Sequence, residues 1–281
     1  MSEPLPDPGP KIYLLPNLMT AGNLFCGFAA SLSIVESALM RERGFPESQA
    51  DSRIYLAIIL ILASCIFDVL DGRLARLGGA ESPFGREFDS LADVVSFGVA
   101  PALMVHRIVL HQFTTMGWII ASAYLLCGAL RLARFNCIAA AGNAAATKHF
   151  TGFPIPAAAG LIASLTLFLL HLDDRIEKIW YLKWLLAGLM LFLAWMMFSK
   201  FQYPSFKGIG WRTKRSMPSF LAILLVVILT AVYYQWMPFV IFLSYLLYGF
   251  LRPFLSRKMK RDIEEEDEED EGSDHSAQPH V

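Results

Sequence analysis

The sequence is poor in charged residues. Asp, Glu, Lys and Arg make up 17% of its 281 residues and hydrophobic residues make up 55%, whereas a soluble domain carries about 25% charge. Cysteine is also scarce, and none of the four cysteines has the C-x-x-C spacing of a zinc or redox site. These shortages exclude a soluble enzyme, a secreted domain held by disulfides and a disordered chain.

The sequence is rich in long apolar runs, and several approach the roughly 20 residues that a helix needs to span a bilayer. The predicted spans are residues 18–40, 54–71, 90–110, 117–139, 155–172, 180–198, 218–234 and 237–251. The sequence therefore predicts an all-α, polytopic integral membrane protein with about eight transmembrane helices. The start of the chain lacks the features of a cleavable signal, so we expect the first run to remain as a helix.

The charges are unevenly distributed along the chain. Ten of the 25 acidic residues lie between Asp262 and Asp274, which leaves 24 basic and 15 acidic residues elsewhere. Such an acidic run is typical of a disordered, self-repelling tail. We therefore expect a polar N-terminal segment (1–16), a transmembrane domain (17–255), and a basic stub with a disordered acidic tail (256–281).

The basic residues predict the orientation in the membrane. Eight spans place both termini on one side, and seventeen of the 24 lysines and arginines fall on that side. Because cytoplasmic loops are enriched in Lys and Arg, we expect both termini and the loop after Asp71 to face the cytoplasm. The basic cluster at 200–215 lacks an accompanying soluble nucleic-acid-binding fold, so it either contacts anionic lipids or sets topology.

Four aspartates lie at the ends of two consecutive apolar runs. Asp68 and Asp71 close the second run three residues apart, and Asp89 and Asp93 open the third run four residues apart. Each pair lies on one face of its helix. A carboxylate at membrane depth costs several kcal/mol unless it is paired, hydrated or bound to metal. A hairpin of the two helices can direct all four carboxylates into one cavity.

This arrangement favours a site for hard divalent cations. Carboxylate ligands suit Mg²⁺, Mn²⁺ or Ca²⁺, and four of them can hold two ions about 4 Å apart for displacement at phosphorus. Gly72 and Gly85 leave room for a ligand or a helix backbone. The small side chain of Ala75 also lets a ligand lie close to the helix, and the positive charge of Arg76 suits a phosphate. Interhelical ion pairs are the alternative, but they do not explain the joint spacing of Asp and Gly.

The pattern D-x-x-D-G-x-x-A-R-x8-G-x-x-x-D-x-x-x-D, which runs from Asp68 to Asp93, matches the signature of the CDP-alcohol phosphatidyltransferases without a gap. The chain resembles that family over roughly residues 12–255. The resemblance implies the fold of the family. It also implies an integral membrane enzyme that transfers a phosphatidyl group from a CDP-linked lipid to an alcohol and releases CMP.

The resemblance further implies roles for individual residues. Asp68, Asp71 and Asp89 would bind one metal ion, and Asp68, Asp89 and Asp93 would bind a second, with Asp93 also the catalytic base. A P-N-x-x-T start on the first span is common in the family, although Asn and Thr also cap helices. The residues expected to contact CDP-diacylglycerol are Asn17, Thr20, Gly72, Ala75, Arg76, Ser82 and Gly85.

Three further stretches resemble the members of the family that use L-serine as the alcohol. They are N-L-F-C-G-F from Asn23, R-L-A-R-F-N from Arg131 and F-T-G-F-P-I-P-A-A-A from Phe150. Arg131, Arg134 and Asn136 are the predicted serine-binding residues, because Arg binds a carboxylate with two parallel hydrogen bonds. Membrane anchoring of the two arginines and a structural role for the proline-containing stretch are the alternatives.

The predicted reaction converts CDP-diacylglycerol and L-serine into phosphatidylserine and CMP at the cytoplasmic face of a bacterial inner membrane. One alternative is the same chemistry with glycerol phosphate, inositol phosphate or choline. Another is a metal-ion or lipid transporter that uses the aspartates for permeation. The expected partners are both substrates, membrane lipids, two divalent ions and, as the resemblance implies, a second copy of the chain, but no nucleic acid.

Overall fold

The computed structural model describes residues 13–77, 82–140, 150–171, 180–199, 202–203, 229–230 and 232–251. The α-helices are α1 (Leu14–Glu42), α2 (Glu47–Leu77), α3 (Pro83–Asp93), α4 (Ala100–Ile108), α5 (Thr114–Ala140), α6 (Ile155–His171), α7 (Trp180–Phe198) and α8 (Met237–Leu251). A π-helix (Val94–Val99) joins α3 to α4, and a 3-10 helix (Leu110–Phe113) precedes α5.

Among the described residues, four helical stretches have the length and composition needed to cross a membrane. They are Leu14–Glu42, Glu47–Ala75, Pro83–Ile108 and Leu110–Ala139. Shorter apolar helices lie at Ile155–His171, Trp184–Phe198 and Met237–Leu251. This architecture is that of a polytopic membrane protein. The predicted span at 218–234 is described only at residues 229–230 and 232–234, so the number eight stays a prediction.

The outer surface of the helices is apolar. Large side chains are exposed on α1, among them Leu18, Phe25 and Phe28, and on α5, among them Trp118 and Leu126. A soluble protein seldom exposes so much contiguous apolar area, because that area promotes aggregation. Lipid tails solvate such a surface, and its breadth therefore agrees with a membrane setting.

Helix α6 occupies the centre of the packed structure. Thirteen of its seventeen residues are buried, which agrees with a sequence that is apolar on all sides of the helix. Helix α8 lies against α6 through aromatic side chains. The rings of Phe168 and Phe239 stack with centroids 5.8 Å apart, and a Cβ added at Gly160 would lie 2.2 Å from the ring of Phe242.

The third predicted span is not one continuous α-helix. Its α-helical hydrogen bonding is interrupted by the π-helix directly after Asp93, and π-helical turns inside helices frequently occur at functional sites. The Ser96 hydroxyl of this π-helix donates to the Asn23 carbonyl at 2.9 Å. A Cβ at Gly27 would lie 2.1 Å from Ser96 Oγ, so α1 requires glycine where the π-helix approaches it.

The described secondary structure is helical, as predicted, apart from two strands of two residues each. β1 (Phe150–Thr151) and β2 (Gln202–Tyr203) pair antiparallel. Gly152 follows β1 with φ +88°, a backbone conformation that favours glycine. The Phe153 amide then donates to the Met196 carbonyl at 3.1 Å. The entry into α6 is therefore fixed against the C-terminal end of α7.

Candidate active site

Three of the four predicted aspartates form one cluster. Asp68 and Asp71 come from the C-terminal part of α2 and Asp89 from α3, and one carboxylate oxygen of each lies within 4.8 Å of the others. Asp71 is buried, and the other two are half-buried. The i, i+3 spacing on α2 presents two carboxylates on one face, and α3 brings the third to the same place.

The cluster fits a divalent metal ion. All three donors are carboxylate oxygens, which are the ligands that Mg²⁺ and Mn²⁺ prefer. Oδ1 of Asp89 is buried and has no hydrogen-bond partner among the described residues. An unpaired buried carboxylate oxygen is costly, and three neighbouring carboxylates also repel one another. A cation bound between them would relieve both effects.

Asp93 lies one helical turn beyond Asp89 and stands beside this three-residue cluster. Its side chain is only 5% exposed. Oδ1 of Asp93 accepts a hydrogen bond from Asn23 Nδ2 at 3.1 Å, and the carboxyl group lies within electrostatic range of Asp68 and Asp89. Asp93 therefore has a protein partner of its own at the edge of the candidate metal site.

Helix α1 supplies the polar groups next to the cluster. The Thr20 hydroxyl donates to Asp71 Oδ2 at 2.9 Å, and it also lies 3.2 Å from the Pro16 carbonyl oxygen. Nδ2 of Asn17 is buried and has no partner in the part of the chain that the structure describes. Thr20 thus orients one carboxylate of the cluster, and Asn17 retains a donor that a ligand oxygen can accept.

The start of α3 is shaped by a serine and a glycine. Ser82 caps the helix, and its Oγ accepts a hydrogen bond from the Gly85 amide at 3.0 Å. A Cβ at Gly85 would lie 3.2 Å from Ser82 Oγ and 3.3 Å from Asn17 Oδ1. Gly85 therefore allows α1 and α3 to meet beside the aspartates.

The remaining residues predicted to contact CDP-diacylglycerol lie near the end of α2. Gly72 and Ala75 are half-buried there, in the turns that follow Asp71. The side chain of Arg76 lies outside the described part of the structure. The predictions for residues 1–12, 200–201, 204–215 and 252–281 also concern residues that are not described.

Among the three predicted serine-binding residues, Arg131 interacts electrostatically with one of the aspartates, Asp93. Its Nε is buried and has no hydrogen-bond partner among the residues described. The guanidinium is within electrostatic range of Asp93 and of Tyr245, which comes from α8. The ring of Tyr245 in turn contacts that of Phe153, with centroids 5.8 Å apart.

Arg134 and Asn136 occupy different positions on α5. Arg134 is exposed. Nδ2 of Asn136 lies 2.9 Å from Ser90 Oγ and 3.2 Å from Glu87 Oε2 and donates toward both. Asn136 therefore connects α5 to α3, and the assignment of these three side chains to serine stays a prediction.

Two residues at the site have no role in the predictions from sequence. Asn23 is a polar residue in the middle of an apolar span, and this is a signal that sequence reasoning could have used, because such residues are costly in a membrane. Tyr245 carries no comparable signal. Tyrosine is common near the ends of transmembrane helices, and only the packing of α8 shows which tyrosine faces the site.

Comparison with other proteins agrees with this geometry. A family model described as CDP-alcohol phosphatidyltransferase matches residues 13–199. A CDP-diacylglycerol–serine O-phosphatidyltransferase of Helicobacter pylori strain J99 is 36% identical over 86% of this chain and 91% of its own length. A protein of the same name from Bacillus subtilis strain 168 is 32% identical over 69% of this chain and 91% of its own length.

An archaeal relative has a related name. The archaetidylserine synthase of Methanothermobacter thermautotrophicus is 34% identical over 70% of this chain and 72% of its own length. The family match includes all four aspartates, Asn23 and Arg131, and it ends before α8 begins.

Proposed function

This chain belongs to the CDP-alcohol phosphatidyltransferase family, and from that premise we propose that it transfers the phosphatidyl group of CDP-diacylglycerol to L-serine. The products are phosphatidylserine and CMP. The observation that carries this proposal is the cluster of Asp68, Asp71 and Asp89 with Asp93 beside it. The printed names of the relatives from Helicobacter pylori and Bacillus subtilis support serine as the alcohol.

We assign two divalent ions to the aspartates, Mg²⁺ or Mn²⁺ before Ca²⁺. Asp68, Asp71 and Asp89 would hold one ion, and Asp68, Asp89 and Asp93 would hold the other. When bound, such ions would neutralise the charge of the diphosphate and make its phosphorus more electrophilic. Oδ1 of Asp89, which is buried and lacks a hydrogen-bond partner among the residues that the structure describes, supports a cation at this position.

The nucleotide end of CDP-diacylglycerol is assigned to the space between α1 and the ends of α2 and α3. Nδ2 of Asn17, which lacks a partner among the described residues, donates to an oxygen of the nucleotide or diphosphate. Because Gly72, Ala75 and Gly85 have small or no side chains, the helix backbones can lie close to the ligand. Ser82 caps the start of α3. The guanidinium of Arg76 is assigned to a phosphate of the ligand. Thr20 holds Asp71 in place.

Asp93 is proposed as the general base. It accepts the proton of the serine hydroxyl while the serine oxygen forms a bond to the phosphorus that carries diacylglycerol. The bond from that phosphorus to the CMP oxygen breaks, and CMP leaves with the electron pair. Because Asn23 engages Oδ1, the second carboxylate oxygen of Asp93 remains for the proton.

The carboxylate of serine is assigned to Arg131. The buried Nε of this arginine lacks a hydrogen bond within the described structure, and a guanidinium binds a carboxylate well. Two carbons separate the carboxylate of serine from its hydroxyl oxygen, so a serine held at Arg131 can present that oxygen to nearby Asp93. Arg134 and Asn136 are assigned supporting contacts to the acceptor.

The membrane arrangement is part of the proposal. Eight spans divide the chain into a polar segment (1–16), a transmembrane domain (17–255) and a C-terminal stub and tail (256–281). The distribution of Lys and Arg favours a site and two termini that face the cytoplasm of a bacterial inner membrane. Family resemblance favours a homodimer.

The proposal is tested by supplying different alcohols to the purified full-length protein. With CDP-diacylglycerol and Mg²⁺, we expect CMP release with serine and none with glycerol phosphate, inositol phosphate or choline. Release with one of those alcohols instead would keep the chemistry and replace the acceptor. Absence of CMP with every alcohol, together with cation or lipid flux in vesicles, would contradict the enzyme and favour a transporter.

A further inference from the structure

Asn23 is an amide at the centre of the candidate site. It lies in the middle of α1 and is completely buried. Its Nδ2 donates to Oδ1 of Asp93 at 3.1 Å. Polar residues inside a membrane span are costly and mark functional positions, and here the polar group touches the carboxylate assigned as the base.

The backbone of Asn23 is held by two other elements. Ser96 Oγ of the π-helix donates to the Asn23 carbonyl at 2.9 Å. Ser64 Oγ of α2 lies 3.3 Å from the same oxygen and 3.0 Å from the carbonyl of Leu60 in its own helix. These contacts fix the position of the Asn23 Cα relative to α2 and the π-helix, and therefore the direction from which its amide approaches Asp93.

The orientation of the amide has an energetic cost. Oδ1 of Asn23 is buried and has no hydrogen-bond partner in the described part of the structure, and a buried oxygen without a partner is destabilising. The opposite orientation would direct Oδ1 at a carboxylate oxygen. Asp93 therefore dictates the orientation. A leucine of similar size would avoid the unpaired oxygen, so packing alone does not explain an asparagine here.

We propose that Asn23 is the positioning residue of Asp93. Its hydrogen bond to Oδ1 fixes the rotation of the carboxylate, so that the second oxygen faces the acceptor hydroxyl. This inference rests on the proposed function, since it assumes that Asp93 removes the proton. Asn23 itself takes no proton and contacts neither substrate.

The test uses Asn23→Leu in the full-length protein, because leucine preserves the volume and removes the donor. We expect kcat to fall about 10- to 100-fold, the range for loss of a residue that orients a functional ligand. The KM values for CDP-diacylglycerol and serine should stay within about a factor of two. Equilibrium binding of CDP-diacylglycerol should also be retained, which separates positioning from loss of fold.

Ser33→Ala is the matched control. Ser33 is a buried polar residue of the same helix, and its hydroxyl donates to the Ala29 carbonyl within α1 rather than to the site. This variant should keep kcat within about a factor of two. If Asn23→Leu does not accumulate in the membrane, Asn23→Ala is measured by the same criteria.

An unchanged kcat in the Asn23 variant overturns the proposal. Equal losses of CDP-diacylglycerol binding and of turnover also overturn it, because they indicate a structural role. Measurements on the wild-type protein distinguish a failure of this inference from a failure of the proposed function. If the wild type uses another alcohol, the same comparison is made with that alcohol, and if it releases no CMP with any alcohol, the proposed function fails on its own.

Discussion

At the scale of single residues, the most informative feature is that the four aspartates have different surroundings. Three of them converge on one point, and the fourth, Asp93, is buried beside them and bonded to Asn23. Identical side chains thus have different surroundings. In the proposal, Asp93 is both a ligand of the second ion and the base, and the hydrogen bond from Asn23 to Oδ1 fixes the angle at which its other oxygen meets the proton.

We predict that Asp93→Asn abolishes turnover and leaves binding of CDP-diacylglycerol intact. Asparagine keeps the shape of the side chain but cannot accept the proton from serine. Single-turnover CMP release and equilibrium lipid binding measure the two properties separately. Asp51→Asn is the control, because Asp51 pairs with Arg41 at an exposed position away from the site. Turnover near the wild-type rate in Asp93→Asn would remove Asp93 from the mechanism.

We predict that Arg131→Gln raises the KM for serine by about tenfold or more, since a charge-assisted contact to a carboxylate contributes about 1.5–3 kcal/mol. The KM for CDP-diacylglycerol should change less. Arg134→Gln is the matched comparison one turn further along α5, and its exposed position predicts a smaller effect. Steady-state kinetics, with each substrate varied in turn, give the KM for serine and the KM for CDP-diacylglycerol in both variants. A larger effect at Arg134 would place the serine carboxylate elsewhere.

At the scale of helices, α8 adds to the site from beyond the segment that the family model matches. Phe239, Phe242 and Tyr245 recur every three residues and contact Phe168, Gly160 and Phe153, respectively. These contacts pack α8 against α6 and the residues that precede it. They also place Tyr245 within electrostatic range of Arg131. If serine binds at Arg131 as proposed, its binding site depends on a helix near the end of the described chain.

We predict that the Tyr245 hydroxyl, which lies within electrostatic range of Arg131, forms a hydrogen bond to the serine bound there. Tyr245→Phe should then raise the KM for serine about three- to tenfold, the range for one hydrogen bond. The variant keeps the ring that packs on Phe153, so kcat and the KM for CDP-diacylglycerol should change little. Tyr248→Phe is the control, because Tyr248 is exposed on the same helix. Equal effects of the two substitutions would show that the Tyr245 hydroxyl does not act at the acceptor subsite.

The close approach of α1 and the π-helix gives a prediction about stability. Gly27→Ala would place a Cβ 2.1 Å from Ser96 Oγ, and such overpacking costs about 1–3 kcal/mol. Gly188→Ala is the control, since a Cβ there meets no atom within 4 Å. Thermal unfolding in detergent should show a lower Tm for Gly27→Ala alone. Equal Tm values for both variants would contradict the close packing described here.

At the scale of the whole molecule, the sequence predicts the parts that depend on local pattern. The apolar runs place both ends of α1 and of α5 to α8 within four residues, and they locate α2 without its first seven and last six residues. The spacing of the aspartates predicts two carboxylates on one face of each helix. The π-helix after Asp93 was not predictable, because it depends on how Ser96 meets α1. The contact of Tyr245 with the site and the pairing of β1 with β2 likewise depend on tertiary packing.

The central claim is that the serine oxygen displaces CMP at the phosphorus that carries diacylglycerol. Serine labelled with ¹⁸O in its hydroxyl group tests it directly, with purified protein, Mg²⁺ and CDP-diacylglycerol, and mass spectrometry of both products. The account predicts equal amounts of phosphatidylserine and CMP, with the label retained in phosphatidylserine and absent from CMP. Labelled CMP, or CMP formed without phosphatidylserine, would contradict it.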